Sequence, residues 1–185
     1  MKPDMILLSH DHTDHLDVPS LKQLLDTPKQ VEILAGANAW TKARTEVGGH
    51  HNYVHMVPGT EWTSRDFHIR AVSAAHSDPT AIGFVIHVEG NTLCLTGDSL
   101  YSRQFIEQIG EPVDILFTVV NGLGNNMNGT DAARLAAALQ PKISIPVHWG
   151  LFAKYADTPE MFLREAKRLG VHTYQAGIYE ELDTR

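Results

Sequence analysis

The 185-residue chain carries 15 Lys and Arg against 22 Asp and Glu, a formal charge of −7, and 43% of its residues are apolar. This composition suits one globular domain over 1–185 and argues against disorder, and without a basic cluster it argues against a nucleic-acid partner. No apolar run approaches the roughly 20 residues that span a bilayer, and the Met-Lys-Pro-Asp start has no signal-like stretch, so no membrane partner and a cytoplasmic setting are expected.

Short apolar runs at 5–9, 31–35, 53–57, 67–73, 82–88, 92–96, 114–120, 143–147 and 172–175 read as strands. Helical patterns at about 18–26, 38–47, 100–109, 130–140 and 158–169 fall between or after them, which predicts an α/β fold. Thr130-Asp131 and Thr158-Pro159 are N-terminal helix signals, and Gly170 closes the last helix. The alternating runs 67–73 and 82–88, with a hairpin turn predicted at Gly90-Asn91, make part of the sheet antiparallel. Cys94, the single cysteine, lies inside an apolar run and reads as a buried thiol.

The densest chemical signal is Ser9-His10-Asp11-His12-Thr13-Asp14-His15-Leu16-Asp17, after a strand and before a helix. A chain leaving a strand in extended conformation projects His10 and His12 to the same side, where both imidazoles can reach one metal ion. The turn into the helix swings Asp14 and His15 toward a different point, where they can share a second ion. A lone histidine is ordinarily a surface or packed residue, and a solvated histidine-rich loop is the bland reading of this run. Further ligand types at the ends of later strands outweigh it.

The run His10-x-His12-x-Asp14-His15 resembles the signature of the metallo-β-lactamase superfamily. On that resemblance His76, in Ala74-Ala75-His76-Ser77-Asp78, matches the third histidine of a first metal site. Asp98, in Thr96-Gly97-Asp98-Ser99, matches a carboxylate bridging two ions, and His148, in Ile145-Pro146-Val147-His148, matches the last ligand of the second. The implied fold is a metallo-β-lactamase-like αββα sandwich of mixed sheets, N-terminally shortened because only nine residues precede His10. Thr96-Gly97-Asp98-Ser99-x-Tyr101-Ser102 and the Thr-Pro-Glu helix resemble the L-ascorbate-6-phosphate lactonase branch, although Trp149 stands where that branch tends to carry histidine.

The resemblance implies one ion on His10, His12 and His76, another on Asp14, His15 and His148, and Asp98 between them. Nitrogen and carboxylate donors without thiolate suit two divalent ions, Zn or Mn, with Fe also compatible. Such a pair lowers the pKa of a shared water and supplies a hydroxide nucleophile for a small ester or lactone, including a sugar-acid phosphate lactone. A phosphodiesterase or nuclease-type hydrolase, and a catalytically silent metal-binding fragment, are the alternatives. Asp14 is the candidate to orient the nucleophile and pass on its proton, with Asp98 the other catalytic candidate.

Asp11 and Asp17 read as supporting acids, Asp17 chiefly as a helix cap. The Gly- and Asn-rich segment 121–128 must turn tightly, and it is either a plain connection or a substrate loop. Tyr101, Arg103, Asn121 and Trp149 are the candidate contacts to a small-molecule substrate. His50, His51, His55, His68, His87 and His172 read as exposed or packed residues. The sheet left open by the short N terminus makes a homo-oligomer a further expectation.

Overall fold

The structure is a computed structural model that describes residues 2–151, 158–177 and 180. In chain order its elements are β1 (Met5–Leu8), α1 (Val18–Leu25), β2 (Glu32–Ala35), α2 (Ala37–Glu46), β3 (Asn52–His55), β4 (Glu61–Thr63), β5 (Phe67–Ser73), β6 (Ile82–Val88), β7 (Asn91–Leu95), α3 (Arg103–Ile109), β8 (Ile115–Val119), α4 (Gly129–Leu139), β9 (Ile143–Val147) and α5 (Glu160–Arg168). Among the described residues β1, β2 and β3 form a parallel sheet, and β4 to β9 form a six-stranded mixed sheet in chain order.

Strand alternation sorts the apolar residues into three cores. Leu8, Ile33 and Ala35 face Leu21 and Leu25 of α1 and Ala39 and Ala43 of α2. The intervening residue Leu34, with Leu7 and Val54, faces Ile69, Ala71, Ile82, Phe84 and Ile86 of the larger sheet. The opposite face of that sheet offers Val72, Val85, Cys94 and Leu116 to Phe105 and Ile109 of α3, Ala132 and Leu135 of α4, and Phe162 of α5. Three cores between four layers make the αββα sandwich. Cys94 is buried there as expected, and burial pushes its thiol up to about 12.

Because β5 and β7 are each antiparallel to β6, while β7, β8 and β9 are mutually parallel, β5, β7, β8 and β9 run in one direction. Their C-terminal ends share one edge of the sheet. The smaller sheet meets that edge where the Ile82 N–H donates to the Ser9 carbonyl at 3.0 Å. Two glycines permit this closure. A Cβ on Gly36 would lie 2.6 Å from the Thr80 carbonyl oxygen, and one on Gly97 would lie 3.1 Å from Ser9 Cβ.

Several boundaries differ from the sequence reading. The predicted strand at 172–175 is an isolated bridge between Ser144 and Thr173, too short to continue the sheet. The Gly90-Asn91 turn sits one residue earlier, at Glu89-Gly90, because Asn91 already pairs with Val88 and both Glu89 and Gly90 have positive φ. Asn128, not Thr130, caps α4 by accepting the Asp131 N–H, and Pro159 precedes α5 without a side-chain cap. No helix among the described residues is long and apolar enough to cross a membrane.

Candidate metal centre

Each strand with a common direction delivers a polar residue at its end. His10 and His12 follow β1, His76 follows β5, Asp98 follows β7, Asn121 follows β8 and His148 follows β9. Asp14 and His15 sit on the turn that leads into α1, where the His15 and Leu16 N–H groups both donate to the His12 carbonyl. Asp17 accepts the Ser20 N–H at 2.9 Å, which makes it the helix cap and points it away from the cluster.

Donor atoms of His10, His12 and His76 lie within 4.8 Å of one another, as do those of Asp14, His15 and His148. His10, His15 and Asp98 form a third such group that joins the two. Nδ1 of His12 is 3.2 Å from Nε2 of His76, and Nε2 of His15 is 3.0 Å from Nε2 of His148. Two nitrogens each about 2.0–2.1 Å from one tetrahedral ion would stand roughly 3.3 Å apart, so these spacings fit shared ligation.

Two buried atoms strengthen the fit. Among the described residues Nε2 of His10 and Oδ1 of Asp98 have no hydrogen-bond partner, and His10 is fully buried. A buried polar atom left alone is costly, and a cation beside it removes that cost. Ser9 Oγ lies 2.9 Å from Nδ1 of His10, so an Nδ1–H donated to the hydroxyl leaves Nε2 bare. At His76 the Nδ1–H donates to the Asn125 carbonyl at 3.2 Å, which aims Nε2 into the cluster.

The electrostatics keep His10 neutral and Asp98 charged, the forms in which each can act as a metal ligand. Burial, reinforced by His15, pushes the His10 imidazole down to about 4. Burial alone would raise Asp98, but the His15 bond and charge, with His148 and Asn126, hold it down to about 2. His15 is raised, because its bond to Asp98 and the charges of Asp98 and Asp14 outweigh burial. His148 adopts φ +60, a strained conformation for a non-glycine residue.

Two cavities of about 400 Å³ each open onto the cluster and share Asp14, Asp98 and His148. The first is walled by Asn121, Leu123, Gly124, Asn125 and Asn126, the second by Val119, Val147, Trp149 and Leu151. Asn121 and Trp149 are thus cavity-lining residues. Tyr101 packs its ring under the Arg134 guanidinium, and the exposed Arg103 begins α3; neither is among the described residues lining these two cavities. Ser9, Asn125 and Asn126 contact the candidate ligands without having been singled out in sequence. The only signal was position: Ser9 adjoins His10, and the two asparagines lie in the Gly- and Asn-rich segment.

The Beta-lactamase superfamily domain family matches residues 1–149. A UPF0173 protein of Pyrococcus furiosus is 30% identical over 175 residues, covering 90% of this chain and 75% of its own length. The chain belongs to UPF0173. Another family member, a UPF0173 metal-dependent hydrolase of Lysinibacillus sphaericus, is 29% identical over 95% of this chain and 80% of its own. The metallo-beta-lactamase fold protein YhfI of Bacillus subtilis superposes with a TM-score of 0.75 at 22% identity, over 94% of this chain and 74% of that one, and shares the fold. UPF0173 membership and the His/Asp cluster together make this a chain of the metal-dependent hydrolase family within the metallo-β-lactamase superfamily.

Proposed function

We propose that the protein hydrolyses a small ester or lactone, a sugar-acid phosphate lactone included, with two divalent ions, Zn or Mn, or Fe in their place. The observation that carries this reading is the pair of donor triads, linked through His10, His15 and Asp98, at the foot of cavities sized for a small molecule. His10, His12 and His76 would hold one ion and Asp14, His15 and His148 the other, with Asp98 between. Ions bound there supply a Lewis acid and lower the pKa of water from 15.7 toward about 7.

The chain's own groups do the rest. Asp14 borders both cavities with its carboxylate partly exposed, 3.3 Å from Nε2 of His148, so it can orient a water and carry its proton to a leaving oxygen. Trp149 donates its indole N–H to the Pro146 carbonyl, which fixes the ring as an apolar wall. Asn121 and Asn125 present polar groups on the other side, where a lactone or hydroxyl oxygen can be held.

The test is a turnover panel of lactones, phosphorylated lactones, aryl esters and an aryl phosphodiester on metal-loaded protein. Turnover of an ester or lactone that Asp14→Ala lowers by about 100-fold or more supports the reading. Turnover of the phosphodiester alone moves the assignment to a phosphodiesterase, and metal binding without any turnover leaves a catalytically silent metal protein.

A further inference from the structure

One short segment touches a ligand of each triad and the carboxylate between them. It follows β8 and spans 121–128, closed by a bridge between Asn121 and Asn128 and by the Gly122 N–H donating to the Met127 carbonyl at 3.0 Å. Gly122 and Gly124 take positive φ, and a Cβ on Gly122 would stand 3.0 Å from Asn128 Cβ, so the tight path needs glycine there. Met127 anchors the segment: its side chain is buried in the core beneath α4, and its N–H donates to the Ser99 carbonyl at 2.8 Å, next to Asp98.

From that anchor the segment reaches three candidate ligands. The Asn126 Nδ2 donates to Oδ2 of Asp98 at 2.9 Å, the Asn125 carbonyl accepts from His76, and the Asn121 amide lies 2.9 Å from Nδ1 of His148. Asn126 is buried, and its own Oδ1 has no partner among the described residues. A buried amide with one bond satisfied and one open is held there at a cost, and the bond it keeps is to the shared carboxylate.

We propose that Asn126 is a positioning residue: by donating to Oδ2 it fixes the rotation of the Asp98 carboxylate, so that Asp98 presents its oxygens to both triads at once. The proposal rests on the metal-centre reading above. The segment is a ligand clamp that also forms a cavity wall, which differs from both a plain connection and a loop that only meets substrate. With the donor gone, Asp98 is free to rotate, and an ion that it would help to hold would be bound more weakly.

Cobalt(II) titration of the metal-free protein, followed by its visible absorption bands, reads the ligand geometry independently of activity. Asn126→Leu removes the donor at similar size, and Asn126→Ala serves if the leucine variant does not fold. Glu111→Gln is the structural control, because Glu111 pairs with Arg70 and His87 and is neither a candidate ligand nor part of the 121–128 segment. The expected result is a 10–100-fold weaker cobalt affinity with altered bands for the Asn126 variant, while Glu111→Gln lowers stability and leaves the bands unchanged. Wild-type-like affinity and bands in the Asn126 variant overturn the proposal and leave the metal centre standing. A wild type that binds no cobalt overturns both.

Discussion

Nε2 of His15 lies 3.0 Å from Nε2 of His148, although 133 positions separate the two residues. One nitrogen is carried by the turn after β1 in the smaller sheet, the other by the strained residue after β9 at the far edge of the larger sheet. Their approach is the point at which the two halves of the sandwich become one site, and the lone pairs tolerate it only with a proton or a cation between them.

Burial of His10 has a pH signature in the metal-free protein. Its folded pKa, about 4, lies below the unfolded 6.5, so the fold favours the neutral ring. The stability this contributes is present above pH 6.5 and is lost as pH falls from 6.5 toward 4, at roughly 1.4 kcal/mol per pH unit. His15, raised, acts in the opposite sense: its contribution is present below 6.5 and is lost as pH rises through its folded value. An NMR titration of the His10 ring should show a midpoint near 4; a midpoint near 6.5 would contradict its burial.

Gly97→Ala tests the closure of the two sheets. At φ +58 the added Cβ would meet the Ile82 carbonyl at 3.0 Å and Ser9 Cβ at 3.1 Å, one residue before Asp98. The expected outcome is a loss of at least about 1–2 kcal/mol in denaturant unfolding together with weaker metal binding. Wild-type stability would show that the contact at Ser9 is loose.

Asp17 and Asp14 are three residues apart and should behave differently. Asp17→Ala removes the cap of α1 and is expected to lower Tm by about 2–4 °C with metal content unchanged. Asp14→Ala should reduce bound metal with little change in the Tm of the metal-free chain. Parallel melting curves and elemental analysis on the two variants check both, and the reverse pattern would exchange their roles.

Far from the cluster, Arg70 donates to the Gln108 and Ile109 carbonyls at the end of α3 and pairs with Glu111 at 2.6 Å, while His87 holds the other Glu111 oxygen at 2.7 Å. Burial opposes ionisation of Glu111, but the His87 and Arg70 bonds keep its pKa below the ordinary value. The contribution is therefore present above about pH 4.5 and is lost as pH falls through the lowered value. Glu111→Gln should cost about 1–2 kcal/mol at pH 7 in chemical unfolding, with the difference shrinking in acid. An equal difference at pH 3 and pH 7 would refute the ionic origin.

Much of the candidate site was readable in the sequence because its candidate ligands sit at strand ends, where alternation and extended backbone dictate direction: His10 and His12 point the same way for that reason. The order β5, β6, β7 was likewise written in alternating apolar residues. What sequence left hidden depended on contacts between distant segments. Strand β4 is three residues with only Trp62 facing inward, too short to leave a period. The Glu89-Gly90 turn places a non-glycine at positive φ, against local preference, because the flanking register demands it. Asn126 gave no local hint, since its role lies in reaching a carboxylate 28 residues away.

The most direct measurement is the metal content of the purified wild-type chain by elemental analysis after supplementation with Zn or Mn and removal of loosely bound ions. The two linked triads predict about two equivalents per chain, falling to one or fewer in His10→Ala. A chain that retains no metal under those conditions would contradict the account, for the seven residues would then be a polar cluster without its cation.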